Sequence, residues 1–230
     1  SVCVILYCTI NTISRFLATG VDVIAMTRII VGITGTLGAG KGAVVDHLVG
    51  AHGFAHFSVR AWLTDVILGR GMRVDRDSMT HVANELRATH GPAYIVEQLL
   101  AQAATELGSG DGDVQTGGGA IVESIRSVGE VEMLRMGGGA GTQHKFVLLA
   151  IDADPALRYD RAVNIRKSET DIGLSFEQFL ADEAREMSNA DLHKQNLRGC
   201  IGMADARLLN NGSLDDLRDE TDRVLRELIS

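Results

Sequence analysis

The chain has 230 residues, of which 45% are hydrophobic, and it carries a formal net charge of −8 at neutral pH. This length suffices for one sizeable core, or for a core domain with a small mobile subdomain. The acidic balance argues against a nucleic-acid or anionic-membrane surface, because such surfaces need an excess of basic residues. We therefore expect neither nucleic acid nor a membrane as a partner, and no sequence feature indicates an oligomeric state.

The cysteines and histidines show no pattern of a disulfide frame or a metal site. Cys3, Cys8 and Cys200 are odd in number and form no Cys-x-x-Cys pair. They predict free thiols in a reducing compartment, and hence a cytoplasmic location. The seven histidines are scattered, and none has metal-ligand spacing to another His or Cys, so we interpret them as surface or packing residues.

The first 25 residues differ from the rest of the chain. An apolar run at 2–8 is followed by a mixed stretch that Arg15 and Asp22 interrupt. The run is shorter than the roughly 20 apolar residues that span a bilayer, and it lacks the basic start and cleavage site of a signal peptide. We predict that 1–25 form a dispensable extension and that the folded domain covers 26–230. An extra strand and a targeting segment are the alternatives.

Short apolar runs alternate with stretches of helical spacing along the rest of the chain. The predicted strands cover 29–33, 54–58, 120–123, 146–151 and 204–209. The predicted helices cover 43–49, 60–68, 77–89, 91–107, 128–136, 155–166, 176–187 and 214–229. Glycine-rich stretches at 108–119 and 137–142 indicate loops. This alternation predicts an α/β fold of three layers, α/β/α, around a mostly parallel sheet.

The loop between the first predicted strand and helix has the pattern Gly-x-x-x-x-Gly-Lys, which is typical of a P-loop. Successive N–H groups of such a loop must curl around phosphate oxygens, which favours residues without a Cβ atom. Lys41 adds a compact charge that can reach the β and γ phosphates. The pattern therefore predicts binding of a nucleoside triphosphate, ATP. The predicted binding residues are Gly35, Thr36, Leu37, Gly38, Ala39, Gly40, Lys41, Gly42 and Ala43.

The loop departs from most P-loops at the position that binds Mg²⁺. Gly42 stands where a Ser or Thr hydroxyl usually ligates the ion, and Ala43 offers no hydroxyl either. The ion must then be held through water, by the nucleotide phosphates, or by a carboxylate elsewhere. Glu123, at the end of a buried strand, is the predicted metal ligand, and Asp152 is the second candidate. The alternative for both is a solvated strand-end carboxylate.

The loop, with its Gly-Lys-Gly ending, resembles that of adenylate kinases and related small kinases. Later segments resemble a group of poorly characterised P-loop kinases often labelled dephospho-CoA kinase-like. These segments are 84–87 with 91–92, 123–132, 154–161, and 204–205 with 211–214. Glu123 and Ser124 replace the Asp and Gly of the family pattern, and no carboxylate stands between Ser58 and Asp65. The resemblance implies a P-loop NTPase fold with a small helical lid at about 158–190 and an ATP-dependent kinase activity.

Phosphoryl transfer needs cations around three phosphates, because it depends on positioning and charge stabilisation. Lys41 is one of them. Arg158, Arg161 and Arg166 lie on one predicted helix, and in small kinases such a lid brings arginines to the transferred group and excludes water. We predict a catalytic role for these four residues. The alternative for the arginines is a solvated helix with salt bridges to Asp160 and Glu169.

Arg60, Arg87 and Arg126 fall where the resemblance puts the phosphoryl acceptor, and guanidinium groups can grip an anion bidentately. They are the predicted substrate ligands, with surface arginines as the alternative. Phe57 and Trp62 could stack on a base, although core packing is the favoured interpretation. A phosphate acceptor needs no base, whereas a hydroxyl acceptor benefits from one.

The absence of a carboxylate near Ser58 therefore favours a nucleoside monophosphate as the acceptor. Hydroxyl phosphorylation, as in dephospho-CoA kinase, is an alternative in which Asp65 or Glu123 would serve as the base. A nucleotide-binding module with little turnover is another, since the Mg²⁺-binding hydroxyl is absent. A motor or switch NTPase is the least favoured class.

Overall fold

A computed structural model of the chain describes residues 28–108, 119–136, 144–165, 174–187 and 195–230. The predicted extension at 1–25 and the predicted catalytic residue Arg166 lie outside these ranges. Short runs of apolar residues form the strands, because buried strands need apolar side chains on both faces. The strands are β1 (Arg28–Gly35), β2 (Ala55–Ser58), β3 (Ala120–Glu123), β4 (His144–Asp152) and β5 (Ala206–Leu209).

All pairings within this sheet are parallel, and the strand order is β2-β3-β1-β4-β5. The register places Ile33 of β1 opposite Glu123, and Gly35 opposite Ile151. Because parallel strands end at the same edge, the glycine-rich loop after β1 lies between the ends of β3 and β4. Ligands of open α/β sheets bind at this carboxyl edge, where the strand order reverses.

The helices lie between the strands, as the alternating pattern predicts. They are α1 (Lys41–His52), α2 (Val59–Gly69), α3 (Arg76–His90), α4 (Tyr94–Gly108), α5 (Val128–Arg135), α6 (Pro155–Tyr159), α7 (Phe176–Met187), α8 (Leu197–Gly202) and α9 (Leu214–Ile229). A π-helical turn, Asp160–Ile165, continues α6. The short helix α8 was not predicted, since it has only six residues and two of them are glycine.

Apolar side chains of the sheet pack against helices on both faces. On one face Ile30 and Leu148 join buried residues of α2, α3, α4 and α5. On the other face Val31 and Leu149 join buried residues of α1 and α9. The predicted three-layer α/β/α class with a parallel sheet is confirmed. No helix within the described ranges is long and apolar enough to cross a membrane.

Cys200 is a free thiol, as the cysteine pattern predicts, and it is fully buried in α8. Burial and the nearby Glu130 carboxylate raise the pKa of this thiol to about 12. The thiol therefore stays protonated at neutral pH and behaves as a small apolar side chain of the core.

A buried ion pair joins α3 to the start of α5. Glu130 accepts hydrogen bonds from Nε and Nη2 of Arg87 at 3.2 and 2.8 Å, and both side chains are almost fully buried. Its second oxygen accepts the backbone N–H groups of Arg126 and Ser127 at 2.9 and 3.1 Å. One carboxylate thus compensates a buried guanidinium and fixes the backbone that carries Arg126.

We predict that Glu130→Gln lowers the free energy of unfolding by about 3–5 kcal/mol, because the buried charge of Arg87 would lose its carboxylate. Urea unfolding followed by circular dichroism measures this change. Glu132→Gln, at an exposed position of the same helix, is the matched control and should change stability by less than about 0.5 kcal/mol. Equal stabilities of the two variants would contradict the role given to Glu130.

Candidate phosphate-binding site

The glycine-rich loop is packed so closely that two of its positions require glycine. Gly38 and Gly40 have φ angles of 77° and 100°, in the left-handed region that residues with a Cβ atom rarely adopt. A Cβ atom on Gly38 would lie 2.1 Å from the carbonyl oxygen of Arg158, and one on Gly40 would lie 2.2 Å from Nδ2 of Asn210. The loop is therefore held between α6 and the segment after β5.

Lys41 is the first residue of α1, and its ammonium group folds back over the loop. Nζ donates hydrogen bonds to the carbonyl oxygens of Gly35 and Thr36 at 3.0 and 2.8 Å. These bonds hold the charge at the mouth of the loop, beside the amino end of α1. The loop, the lysine and the helix end supply the chemistry that binds a phosphate.

Asp152 ties the loop to β4. One carboxylate oxygen accepts the hydroxyl of Thr36 at 2.7 Å and the backbone N–H of Ala153 at 2.9 Å. The same oxygen lies 3.4 Å from Nε of Arg158. The structure thus gives this second metal candidate a positioning contact with the loop.

Asn210 is a residue of the site that the sequence indicated only as part of a turn. Its side-chain Nδ2 donates to the carbonyl oxygen of Ala39 at 2.9 Å. Its backbone carbonyl oxygen accepts a hydrogen bond from Nη1 of Arg161, also at 2.9 Å. Asn210 is buried directly after β5. A polar residue at the end of a predicted strand was the available signal, but its target, the loop, is about 170 residues away in the chain.

A cleft of about 440 Å³ opens beside the loop, and six of the sixteen predicted site residues line it. Lys41, Glu123 and the three predicted substrate arginines all line it. Arg76, which no sequence motif indicated, is a further arginine in the wall of the cleft. The lining residues that carry charge are Lys41, Arg60, Asp75, Arg76, Arg87, Glu123, Arg126 and Glu186.

Glu123 ends β3, and the chain turns away immediately after it. Ser124 has a φ of 72°, and the N–H groups of Ser124 and Ile125 both donate to the carbonyl oxygen of Ile33. The Glu123 carboxylate lies 3.1 Å from Nε2 of His56, and its side chain is 19% exposed. It is therefore a half-buried carboxylate in the wall of the cleft, which suits a cation ligand better than a fully solvated acid would.

The predicted catalytic arginines Arg158 and Arg161 form hydrogen bonds with other residues of the protein. Arg158 is buried; its Nε donates to the carbonyl oxygen of Ala153 at 2.7 Å, and its terminal nitrogens bind Glu183 of α7, with Nη2 at 3.0 Å from Oε1. Arg161 holds the segment after β5 through Asn210. Arg158 is thus salt-bridged, as the alternative expects, but it is buried rather than solvated, and its bridge to Glu183 was not among the expected pairs. A catalytic role stays a prediction.

The predicted substrate arginines differ in their surroundings. Arg60 is exposed at the start of α2, and Arg87 is buried against Glu130. Nη1 of Arg126 donates to Oε2 of Glu186 at 2.7 Å and contacts Oε1 of Gln195 at 3.4 Å. All three reach the cleft, but only Arg60 is exposed to solvent.

The aromatic residues behave as core residues. Phe57 is buried, and Trp62 packs at the edge of the core with its ring 6.3 Å from that of Tyr94. The hydroxyl of Ser58 accepts the N–H of Ala61 and caps α2. Asp65 is exposed on α2 and is not a lining residue of the cleft.

Two histidines meet one aspartate on the side of the sheet that α1 and α9 cover. Nε2 of His47 and Nε2 of His52 lie 2.7 and 2.8 Å from the same Asp222 oxygen. Burial opposes the ionisation of Asp222, but the histidine hydrogen bonds outweigh it and lower its pKa. The group joins the helix after the loop to the C-terminal helix. Spacing along the chain could not reveal it, because Asp222 is about 170 residues from both histidines.

No family model matches the chain. Its curated relatives include a UPF0200 protein of Thermococcus kodakarensis, 26% identical over 201 residues that cover 87% of this chain and 98% of the relative. A UPF0200 protein of Methanocaldococcus jannaschii is 26% identical over 203 residues, covering 88% and 91%.

Solved structures are similar in fold. TT1252 from Thermus thermophilus superposes with a TM-score of 0.51 at 22% identity, over 88% of this chain and 98% of that protein. A candidate kinase from Chloroflexus aurantiacus gives a TM-score of 0.52 at 17% identity, over 89% and 98%. At these identities the likeness is one of fold, and it agrees with the parallel α/β sheet described above.

Proposed function

We propose that the protein is an ATP-dependent phosphotransferase that moves the γ-phosphate to a small anionic acceptor, a nucleoside monophosphate being the best fit. The observation that carries this proposal is the cleft in which the loop lysine Lys41 and the carboxylate of Glu123 meet several arginines. Kinases need this combination, because the phosphates of donor and acceptor must be held together while charge develops between them. The fold likeness to a candidate kinase and the resemblance to small P-loop kinases support the same class.

The chain's own residues fit ATP. Gly38 and Gly40 let the loop adopt its left-handed backbone turns in close contact with Arg158 and Asn210, and Lys41 holds its charge at the loop mouth. Arg158 lies in α6 and Arg161 in the π-helical turn that continues it, so a movement of this segment would change their distance from bound phosphates. Arg166 is proposed to act beside them.

Magnesium, when bound with ATP, would neutralise phosphate charge and orient the γ-phosphate. Gly42 and Ala43 offer no hydroxyl for it. Glu123 is the proposed protein ligand, since it ends the strand next to the loop and lines the cleft. His56, in contact with the carboxylate, orients it.

The cleft favours an acceptor that is already ionised. Among the described residues, the carboxylates in its wall are Asp75, Glu123 and Glu186. Asp75 caps α3, and its hydrogen bonds from the backbone N–H and hydroxyl of Ser78 lower its pKa, which makes it a poor base. Glu186 is bound by two arginines. A phosphate acceptor, which needs no base, fits this wall better than a hydroxyl.

Two other functions keep a specific observation in their favour. Hydroxyl phosphorylation, as in dephospho-CoA kinase, would use Glu123 as the base, because that carboxylate lies in the cleft. A nucleotide-binding module with little turnover would explain the absence of a hydroxyl at Gly42 and Ala43. ATP consumption with nucleoside monophosphates, nucleosides, dephospho-CoA or no acceptor separates the three. Acceleration by monophosphates alone supports the proposal, and no turnover with any acceptor contradicts it.

We predict that Lys41→Ala weakens ATP binding about 10-fold or more, since the variant loses a charged hydrogen-bond donor at the phosphates, while the fold is retained. Isothermal titration calorimetry measures the affinity. Lys145→Ala is the matched control, because Lys145 lies near the opposite edge of the sheet and donates to the carbonyl oxygen of Ile229. ATP binding by Lys41→Ala with the affinity of the original protein would overturn the P-loop interpretation.

We predict that Glu123→Gln lowers the turnover rate about 100-fold, because one charge-stabilising group is lost while the side-chain volume is kept. The Mg²⁺ concentration for half-maximal rate should rise. The assay is acceptor phosphorylation across a Mg²⁺ series, with Asp152→Asn as the comparison variant. Normal turnover of Glu123→Gln at limiting Mg²⁺ would make Glu123 a structural acid and Asp152 the next metal candidate.

A further inference from the structure

Two arginines from different elements converge on one carboxylate in the wall of the cleft. Arg76 begins α3, Arg126 follows β3, and Glu186 lies near the end of α7. Nη2 of Arg76 is 2.9 Å from Oε1 of Glu186, and Nη1 of Arg126 is 2.7 Å from Oε2. Each carboxylate oxygen is thus held by a separate guanidinium group. Pairs of arginines bind phosphate and carboxylate groups of ligands in the same way.

These three side chains are partly buried, and all are charged. Their exposed fractions are 34% for Arg76, 26% for Arg126 and 20% for Glu186. Burial opposes ionisation of Glu186, but Arg126 and Arg76 outweigh it and hold its pKa below the usual value. A negative group therefore occupies the space between the two arginines at neutral pH.

Two further carboxylates of α7 bind Arg76 and Arg158. Oδ2 of Asp182 is 3.0 Å from Nη1 of Arg76, and Glu183 binds the terminal nitrogens of Arg158 on α6. The acidic side chains on one face of α7 thus bind arginines that, in the proposed function, would bind phosphates. The charges of Arg76, Arg126 and Arg158 are thus balanced by carboxylates of one helix.

We propose that Arg76 and Arg126 form a subsite for the phosphate group of the acceptor, and that Glu186 occupies this subsite until the acceptor displaces it. The identification of the bound group as the acceptor rests on the proposed phosphotransferase function. A phosphate dianion offers more charge and more acceptor oxygens than one carboxylate, so it can take over both guanidinium groups. An uncharged nucleoside offers neither, and Glu186 would keep the subsite closed to it.

The displacement also affects α7. When Glu186 leaves the two arginines, α7 loses its link to Arg126 and keeps its links to Arg76 and Arg158 through Asp182 and Glu183. Acceptor binding would therefore change the contacts of the helix that also holds the proposed catalytic residue Arg158. Selection of a phosphorylated acceptor and the position of Arg158 are coupled through one helix.

Glu186→Gln tests this proposal, because it removes the competing charge and keeps the side-chain volume. We expect the affinity for AMP, GMP, CMP, UMP or inorganic phosphate to rise about 5-fold or more, while ATP affinity changes little. The full chain is titrated with each probe in a calorimeter, and adenosine serves as the uncharged probe. Glu177→Gln, at an exposed position of the same helix, is the matched control and should leave every affinity unchanged.

A second variant separates the subsite from a general charge effect. Arg76→Gln placed on Glu186→Gln should lose the gained affinity for the monophosphate and keep the affinity for ATP. Unchanged phosphate and monophosphate affinities in Glu186→Gln overturn the proposal, as does equal strengthening of adenosine binding. Detection of no phosphate or monophosphate binding in either form overturns it as well.

The outcomes distinguish this proposal from the proposed function. Monophosphate binding that strengthens in Glu186→Gln, without ATP turnover on any acceptor, supports the subsite and contradicts the phosphotransferase. Phosphorylation of a monophosphate with a KM that Glu186→Gln leaves unchanged supports the phosphotransferase and contradicts the subsite.

Discussion

Two distant parts of the chain contact the glycine-rich loop at Gly38 and Gly40, and the site depends on this close approach. The carbonyl oxygen of Arg158 and the side chain of Asn210 occupy the space that Cβ atoms would need. The side chain of Asn210 also donates a hydrogen bond to Ala39 in the loop, and its backbone carbonyl oxygen accepts one from Arg161. The loop, α6 with the π-helical turn that follows it, and the segment after β5 therefore pack together as one unit.

The parallel sheet supplies the second condition for the site. Because β1, β3 and β4 run in the same direction, the residues at their ends meet at one edge. The loop lies between the carboxylates of Glu123 and Asp152, which have different surroundings. Asp152 binds the Thr36 hydroxyl and the backbone, whereas Glu123 lines the cleft beside His56. This difference is why Glu123 is the better candidate for a metal ligand.

Charge compensation by the protein is the third feature. Arg87 is balanced by Glu130 in the core, and Arg76, Arg126 and Arg158 are balanced by carboxylates of α7. Buried or half-buried guanidinium groups need such partners, because desolvation of an uncompensated charge is costly. A ligand that binds these arginines would have to replace the carboxylates, so the proposed site would favour anions.

The sequence by itself determined the succession of strands and helices along the chain, the three-layer class and the loop with Lys41. Apolar periodicity and glycine spacing suffice for these features because they are local signals. It also indicated Glu123 and three of the four arginines that line the cleft, Arg60, Arg87 and Arg126, but not Arg76. The helix α8 escaped prediction because it depends on the burial of Leu197 and Cys200 rather than on helix propensity. Only the tertiary structure decided which side chains contact one another in the site. Arg76 and Glu186 are 110 residues apart, and Asn210 and Ala39 are 171 apart, and local patterns carry no information about contacts at such distances along the chain.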